Sequence, residues 1–183
     1  MKTPRKDRGS ILKLSPLGEQ GLIITWCTSE RGILRTAARD ARKPGSTFAG
    51  RVDLFHDCEL LYLPARQGDL HTLRSIDLIH PRLELRRSLA CLRLASHMAR
   101  LIIATVESED ADPAWHTLTR GALDYLCTHA PSERILLHFE KRLATLHGLY
   151  SPAVSPAAAL LRHFKNMPPD RAELLESLTT PKQ

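Results

Sequence analysis

The sequence predicts an α+β chain: a small five-stranded antiparallel barrel over residues 1–79, then an all-α helical domain over residues 80–183. Two observations predict it. The apolar period is close to two before His80-Pro81 and close to 3.6 after it. Gly-bearing turns punctuate the first half, while Pro, Asp and Ser stand at helix-opening positions in the second. With 43% hydrophobic and 25% charged residues the 183-residue chain is globular in composition, which excludes wholesale disorder. It is long enough to bury a core without covalent staples.

The strands follow in order. Ser10 to Ser15 is a short first strand. Leu22, Ile23, Ile24, Trp26 and Cys27 favour extended backbone, so Gly21 to Thr28 is the second. Ser29-Glu30-Arg31-Gly32 is a turn, and Ile33 to Ala38 returns as the hairpin partner. Val52 to Leu63 alternates: Val52, Leu54, Cys58, Leu60 and Tyr62 share one face, with Asp53, Asp57 and Glu59 on the other. Pro64 ends it. Arg66-Gln67-Gly68-Asp69 is a turn into a last strand, Leu70 to Leu78. Five short strands closing on themselves fit a small barrel of the OB type.

The helices open at Pro81, at Asp112-Pro113 and at Pro131-Ser132-Glu133. The first has an apolar stripe at Leu85, Leu89, Leu92, Ser96, Ala99 and Ile103. The second buries Trp115, Leu118, Ala122 and Tyr125. The third buries Ile135, Leu136, Phe139, Leu143 and Leu146, and Gly148 ends it. Ser151 to Ala159 is a connector, and short helices cover Ala157 to Lys165 and Arg171 to Leu178. Met167-Pro168-Pro169 separates them.

Most chemistry is excluded by absence of pattern. Cys27, Cys58, Cys91 and Cys127 are scattered, which fits neither a disulfide framework nor a close-spaced zinc site. The nine His show no HxxxH or HxH spacing, so no metal or other cofactor is expected. There is no GxSxG, Walker loop or GxGxxG, and the chain is expected not to be an enzyme. Cys27 beside Trp26 is expected to be a buried structural thiol. The acidic run Glu107, Glu109, Asp110 and Asp112 is read as cap and dipole complement for the helix at Pro113, not as a Mg²⁺ site. The basic N-terminus lacks the apolar run of a signal peptide, and Leu101 to Val106 is too short to span a bilayer. A cytoplasmic protein without membrane contact is expected.

The net charge of +6 is concentrated. From Arg31 to Arg51 there are six cations (Arg31, Arg35, Arg39, Arg42, Lys43, Arg51) against one anion, Asp40. Arg31, Arg35 and Arg39 share parity and project from one strand face. Arg42-Lys43-Pro44-Gly45-Ser46 reads as a flexible basic loop. Arg66 and Arg74 extend the patch. A cationic sheet face with a basic loop makes a groove that tracks a phosphate backbone; a solvated strand face is the alternative. Of the nearby aromatics, Trp26 and Tyr62 are expected in the core, with Phe48 and Phe55 the remaining stacking candidates. Backbone electrostatics then dominates, with little sequence preference.

Four stretches together resemble the RecO family of bacterial recombination mediators. They are Gly18-Glu19 with Leu22 to Trp26 and Glu30-Arg31-Gly32; Ala41-Arg42-Lys43-Pro44 with Ser46, Phe48 and Gly50; Leu60 with Gly68, Leu70, Thr72 and Leu73; and Phe139-Glu140, Arg142-Leu143, Leu146, Gly148, Tyr150 and Pro152. The resemblance implies an N-terminal OB-fold followed by a helical domain, in a protein that binds single- and double-stranded DNA and anneals complementary strands. It implies RecR as a partner, contact with the C-terminal tail of single-strand DNA-binding protein, indirect assistance to RecA loading, and a place near the bacterial nucleoid. The chain departs from the family pattern at three points. No Cys follows Tyr150-Ser151-Pro152, where many members carry a four-Cys zinc element, so this resembles a short, zinc-free form. Asp40 stands where Gly is common, and Gly45 where Lys is common. The alternatives from other classes are an RNA-binding OB-fold protein, a protein-interaction scaffold that does not bind DNA, and a metal-dependent nuclease.

Overall fold

The computed structural model describes residues 3–179. Five strands, β1 (Arg5–Leu17), β2 (Gly21–Thr28), β3 (Gly32–Ala38), β4 (Asp57–Leu63) and β5 (Leu70–His80), close into a barrel in the order β1-β2-β3-β5-β4. A 3-10 turn at Leu83–Arg87 precedes five helices: α1 (Leu89–Thr105), α2 (Pro113–Thr128), α3 (Glu133–Leu146), α4 (Pro156–His163) and α5 (Arg171–Thr179). The expected α+β architecture, an OB-type barrel followed by helices, is what the chain adopts.

Two compact units divide the chain. One holds the residues up to Arg82 together with Val106–Arg120; the other holds Leu83–Thr105 and the residues from Gly121 onward. A single boundary at residue 79 therefore misses the return of 106–120 to the barrel. That return is made by backbone pairing: Ile33 N–H donates to the Glu107 carbonyl at 3.4 Å, and Glu109 N–H donates to the Ile33 carbonyl at 3.2 Å.

Alternation explains the barrel. Ile24, Trp26, Leu34, Leu60, Tyr62 and Ile76 point inward and are at most 1% exposed. Trp26 buries its indole and donates Nε1–H to Thr36 Oγ1 at 2.9 Å, so the polar edge of the largest core side chain is satisfied. Four strand pairings are antiparallel, and closure is made by a parallel β3–β5 pairing at Arg35–Ala37 against Leu70–Thr72. Irregularities interrupt the alternation at Ile11/Lys13 in β1 and opposite Asp57/Cys58 and Leu61/Tyr62 in β5, leaving Leu12, Ile79 and Arg74 out of the pairing.

The fourth strand is shorter than the alternation predicts. Val52 to His56 is turn and irregular chain, with Phe55 at a φ of 68°. Leu54, expected on the inner face, is exposed, and Phe55 is buried in its place. Asp57, expected outside, is 1% exposed. It accepts from Arg8 Nη2 at 2.5 Å and lies 3.8 Å from His116 Nε2. Burial alone would raise this carboxyl. The His116 and Arg8 hydrogen bonds, with the Arg82 and Arg8 charges, overcome that and hold it at about 2.

In the helical unit the buried face of α1 differs from the expected stripe. Cys91, Leu94, Ala95, Met98, Ala99 and Ile102 are buried, whereas Leu89 is 57% exposed and Leu92, Ser96 and Ile103 are half-buried. Small residues let neighbouring backbone approach closely, so Cys and Ala positions outrank Leu89 on this face. Leu94→Ala is expected to cost about 2–5 kcal/mol and Leu89→Ala less than about 0.5 kcal/mol, read as urea midpoints. Equal losses would restore the Leu89 stripe.

Asp112 caps α2 as expected, accepting from Ala114 N–H at 2.8 Å. Its buried side chains are Trp115, His116, Thr119, Leu123, Leu126 and Cys127; Leu118 and Ala122 are half-buried, and Tyr125 is exposed and stacked on His129. One stripe does not describe this helix because its first half belongs to the barrel unit and its second to the helical unit. In α3, Leu136, Phe139 and Leu143 are buried as expected, while Ile135 and Leu146 are half-buried. Glu140 is also buried, in a two-pronged pair with Arg171 at 2.6 and 2.9 Å that ties α5 to α3. No helix among the described residues is long and apolar enough to cross a membrane.

Candidate nucleic-acid interface

The outer face of β1-β2-β3 presents a row of residues in register: Lys13 opposite Thr25, and Thr25 opposite Arg35. Neighbouring strands are about 4.8 Å apart, so Lys13 and Arg35 flank Thr25 with backbones about 10 Å apart. The next row is Ser15, Ile23 and Ala37. Gly21 then lies against Leu17 and Arg39, with room for no side chain: a Cβ there would stand 2.6 Å from the Leu17 carbonyl and 3.0 Å from that of Arg39. The result is a low floor of small and apolar residues edged by cations.

The other end of the β2–β3 face is closed. Residues 107–109 pair with Ile33, and Thr119 Oγ1 donates to Cys27 Sγ at 3.5 Å. Cys27 and Ile33, opposite one another and outward, are buried. Arg31 lies at this closed end, with Nη1 3.4 Å from Glu109 Oε2. The shared parity of Arg31, Arg35 and Arg39 therefore does not make one continuous free row.

The eight cations expected at the site divide into two groups. Arg31 faces Glu109, Arg35 pairs with Asp69 at 3.0 Å, and Lys43 pairs with Asp40 at 2.7 Å. Arg51 donates to the Ile76 carbonyl at 3.0 Å and lies 3.8 Å from Asp77. The hydrogen bond from Arg35, opposed by slight burial, holds the Asp69 carboxyl below the usual carboxylate range. Arg39, Arg42, Arg66 and Arg74 are exposed and carry no ion pair among the described residues. The parallel β3–β5 pairing ends at Ala37 opposite Thr72, with Arg39 and Arg74 each two residues further along their chains. Arg66 lies in the β4–β5 loop that leads into the Leu70–Arg35 pairing. Arg42 N–H donates to the Gln20 carbonyl at 2.9 Å, which brings the β3–β4 loop to the β1–β2 turn.

That loop is folded rather than flexible. Successive turns bond Lys43 N–H to the Asp40 carbonyl, Ser46 to Lys43, Ala49 to Ser46 and Arg51 to Phe48, at 3.0–3.1 Å. Phe48 packs into the barrel core and pins the loop. Trp26, Phe48, Phe55 and Tyr62 are all buried, so the stacking candidates serve the core.

The reactive-group expectations resolve in the same way. Burial pushes the Cys27 and Cys58 thiols up to about 12. Asp110 accepts the indole N–H of Trp115 at 2.8 Å, so the acidic run is partly consumed in anchoring α2. Among the described residues no group of three or more His, Cys, Asp or Glu is arranged to hold a metal ion. The His138-Phe139-Glu140 spacing offers none, because Glu140 is engaged by Arg171.

Residues 1–82 match the family description "Recombination protein O N terminal", and residues 86–166 match "Recombination protein O C terminal". The chain belongs to the recombination protein O family. It is 31% identical over 85% of its length to a protein named DNA repair protein RecO from Cyanothece sp., covering 52% of that relative. It is likewise 31% identical over 74% to one from Syntrophotalea carbinolica, and 32% over 81% to one from Syntrophus aciditrophicus, covering 52% and 57% of them. The chain thus spans about half the length of the curated relatives it matches.

Two further features of this family member lie outside the eight expected cations. Lys13, exposed on β1, joins the Arg35 row only because Leu12 drops out of the β1–β2 register; simple alternation gives no sign of the bulge. In the helical unit, residues 141–169 contain no Asp or Glu, and Lys141, Arg142, Arg162 and Lys165 are exposed. The absence of acids across that stretch was a readable signal.

Proposed function

We propose that this chain acts in DNA repair as a recombination mediator, holding single- and double-stranded DNA by the phosphate backbone on its barrel unit. The observation that carries the reading is the set of exposed cations without an ion pair among the described residues, Arg39, Arg42, Arg66 and Arg74, around the open end of the β2–β3 face. In OB-folds this face and its flanking β1–β2 and β4–β5 loops bind oligonucleotides. Lys13 extends the set. With the neighbouring aromatics buried, contacts reach phosphates and leave base edges free to pair. Reduced phosphate–phosphate repulsion between two bound strands then promotes annealing. RecR, the tail of single-strand DNA-binding protein and the loading of RecA enter through the family resemblance, as does a cytoplasmic, nucleoid-associated location.

Four or five neutralised phosphates give a log–log salt slope of about −3 on a mixed-sequence single strand. Fluorescence anisotropy across 50–200 mM salt measures it. A flat salt response would sink the electrostatic mechanism. A strong preference for RNA over DNA would move the reading to 2′-OH recognition.

A further inference from the structure

The structure assigns a second role to two acidic side chains of the barrel: we propose that Glu109 and Asp69 are internal stand-ins for DNA phosphates. They occupy an anion subsite at Arg31 and His71 and another at Arg35, and mask both from a bound strand. The inference rests on the proposed backbone-binding role of this face.

The first subsite is built. His71 is 5% exposed, and its Nδ1 accepts the Ala65 N–H at 2.9 Å. That bond leaves the ring proton on Nε2 in the neutral tautomer, so Nε2–H is a donor without any need for protonation. Nε2 lies 3.4 Å from Glu109 Oε1, and Arg31 Nη1 lies 3.4 Å from Glu109 Oε2. A guanidinium and an imidazole thus converge on one carboxylate from two elements.

The carboxylate holds its place loosely. Charge-assisted N–H···O bonds settle at about 2.7–2.9 Å, and both Glu109 contacts are longer. Its side chain is 48% exposed. Its backbone sits at a φ of 63°, a conformation that costs a non-Gly residue energy and is held here by the pairing of 107–109 with Ile33. Asp69 on Arg35 is a second exposed pair, with side chains 48% and 40% exposed. Such surface pairs add little stability and are screened by salt. A phosphate brings a full negative charge with several acceptor oxygens, and its binding releases counterions, so it takes either site once the carboxylate there is neutralised.

The consequence runs against intuition: neutralising two acids should extend the DNA footprint. Each freed arginine adds about 0.7 to the salt slope on single strands. Glu109→Gln with Asp69→Asn is expected to steepen the slope by about 1.4 and to tighten binding at 50 mM salt by at least roughly tenfold. Adding Arg31→Gln and Arg35→Gln should cancel that gain, while the same two changes in the wild type should do little. A purely structural role for the carboxylates leaves the salt slope where it was.

The test is the anisotropy salt series on the full chain, with thermal melting to confirm folding. A steeper, tighter response supports the proposal. So does binding that appears only in the variant. A wild-type slope near −3 that the variant leaves unchanged overturns the proposal and leaves backbone binding intact. No binding by either protein overturns both. If the double variant fails to fold, Asp69→Asn alone, in an exposed turn, is expected to add about 0.7 to the slope, and no change overturns the Arg35 subsite.

Discussion

Changing Arg39, Arg42, Arg66 and Arg74 together to Ala is expected to lower affinity for a mixed-sequence single strand by about 10³-fold at 50 mM salt. The magnitude follows from counterion release: four phosphates at about 0.7 each, taken at that salt, give a little over three decades. The effect should shrink as salt rises, and the residual slope should fall to about −0.7 or less, the share of Lys13. It should be the same for every sequence tested, because phosphate contacts carry no sequence information. Folding should survive, since all four side chains are exposed and lack ion pairs among the described residues. Equal anisotropy curves for variant and wild type would remove the site from the barrel. The acid-free stretch 141–169, with Lys141, Arg142, Arg162 and Lys165, would then be the place to look.

Arg82→Met is expected to destabilise the barrel by about 3–5 kcal/mol, the cost of stripping two buried acceptors of their charged donor and Asp57 of one of its two arginines. Arg82 is 2% exposed and donates Nη1 to Ser10 Oγ at 3.0 Å and to the Phe55 carbonyl at 2.6 Å. Its charge is also one of those that keep Asp57 ionised. The same cluster sets an acid limit. Asp57 has a folded value of about 2 against about 3.9 when unfolded. A depressed carboxyl stabilises the fold above its unfolded value and loses that contribution as pH falls through its folded one. About 2–3 kcal/mol should therefore disappear between about pH 4 and pH 2. Urea midpoints over pH 2–5 measure it. Asp57→Asn should start lower and show a flatter response in that window. A variant with the wild-type pH response would place the acid sensitivity on other carboxylates.

Legibility tracked the range of the interaction. β2 was legible to the residue, because the turns that bound Gly21–Thr28 lie in the adjacent sequence. The start of α2 was legible for the same reason: Asp112 acts on the next turn of backbone. The inner face of α1 was not, since its neighbours decide which of Leu89 and Leu94 is covered. Nor was Asp57, which alternation placed outside and which a buried cluster from Arg8, Arg82 and His116 holds inside.

By itself, then, the sequence determined a barrel followed by helices, its family, and a concentration of cations between Arg31 and Arg51. Composition and periodicity are local quantities and survive without coordinates. Only the tertiary structure decided which of those cations are free. Glu109 and Asp69 lie 78 and 34 residues from the arginines they meet, a separation no local pattern spans. Charge counted along the chain overstates charge presented to a ligand, because the fold brings distant carboxylates onto some of the same cations and leaves Arg39, Arg42, Arg66 and Arg74 facing water.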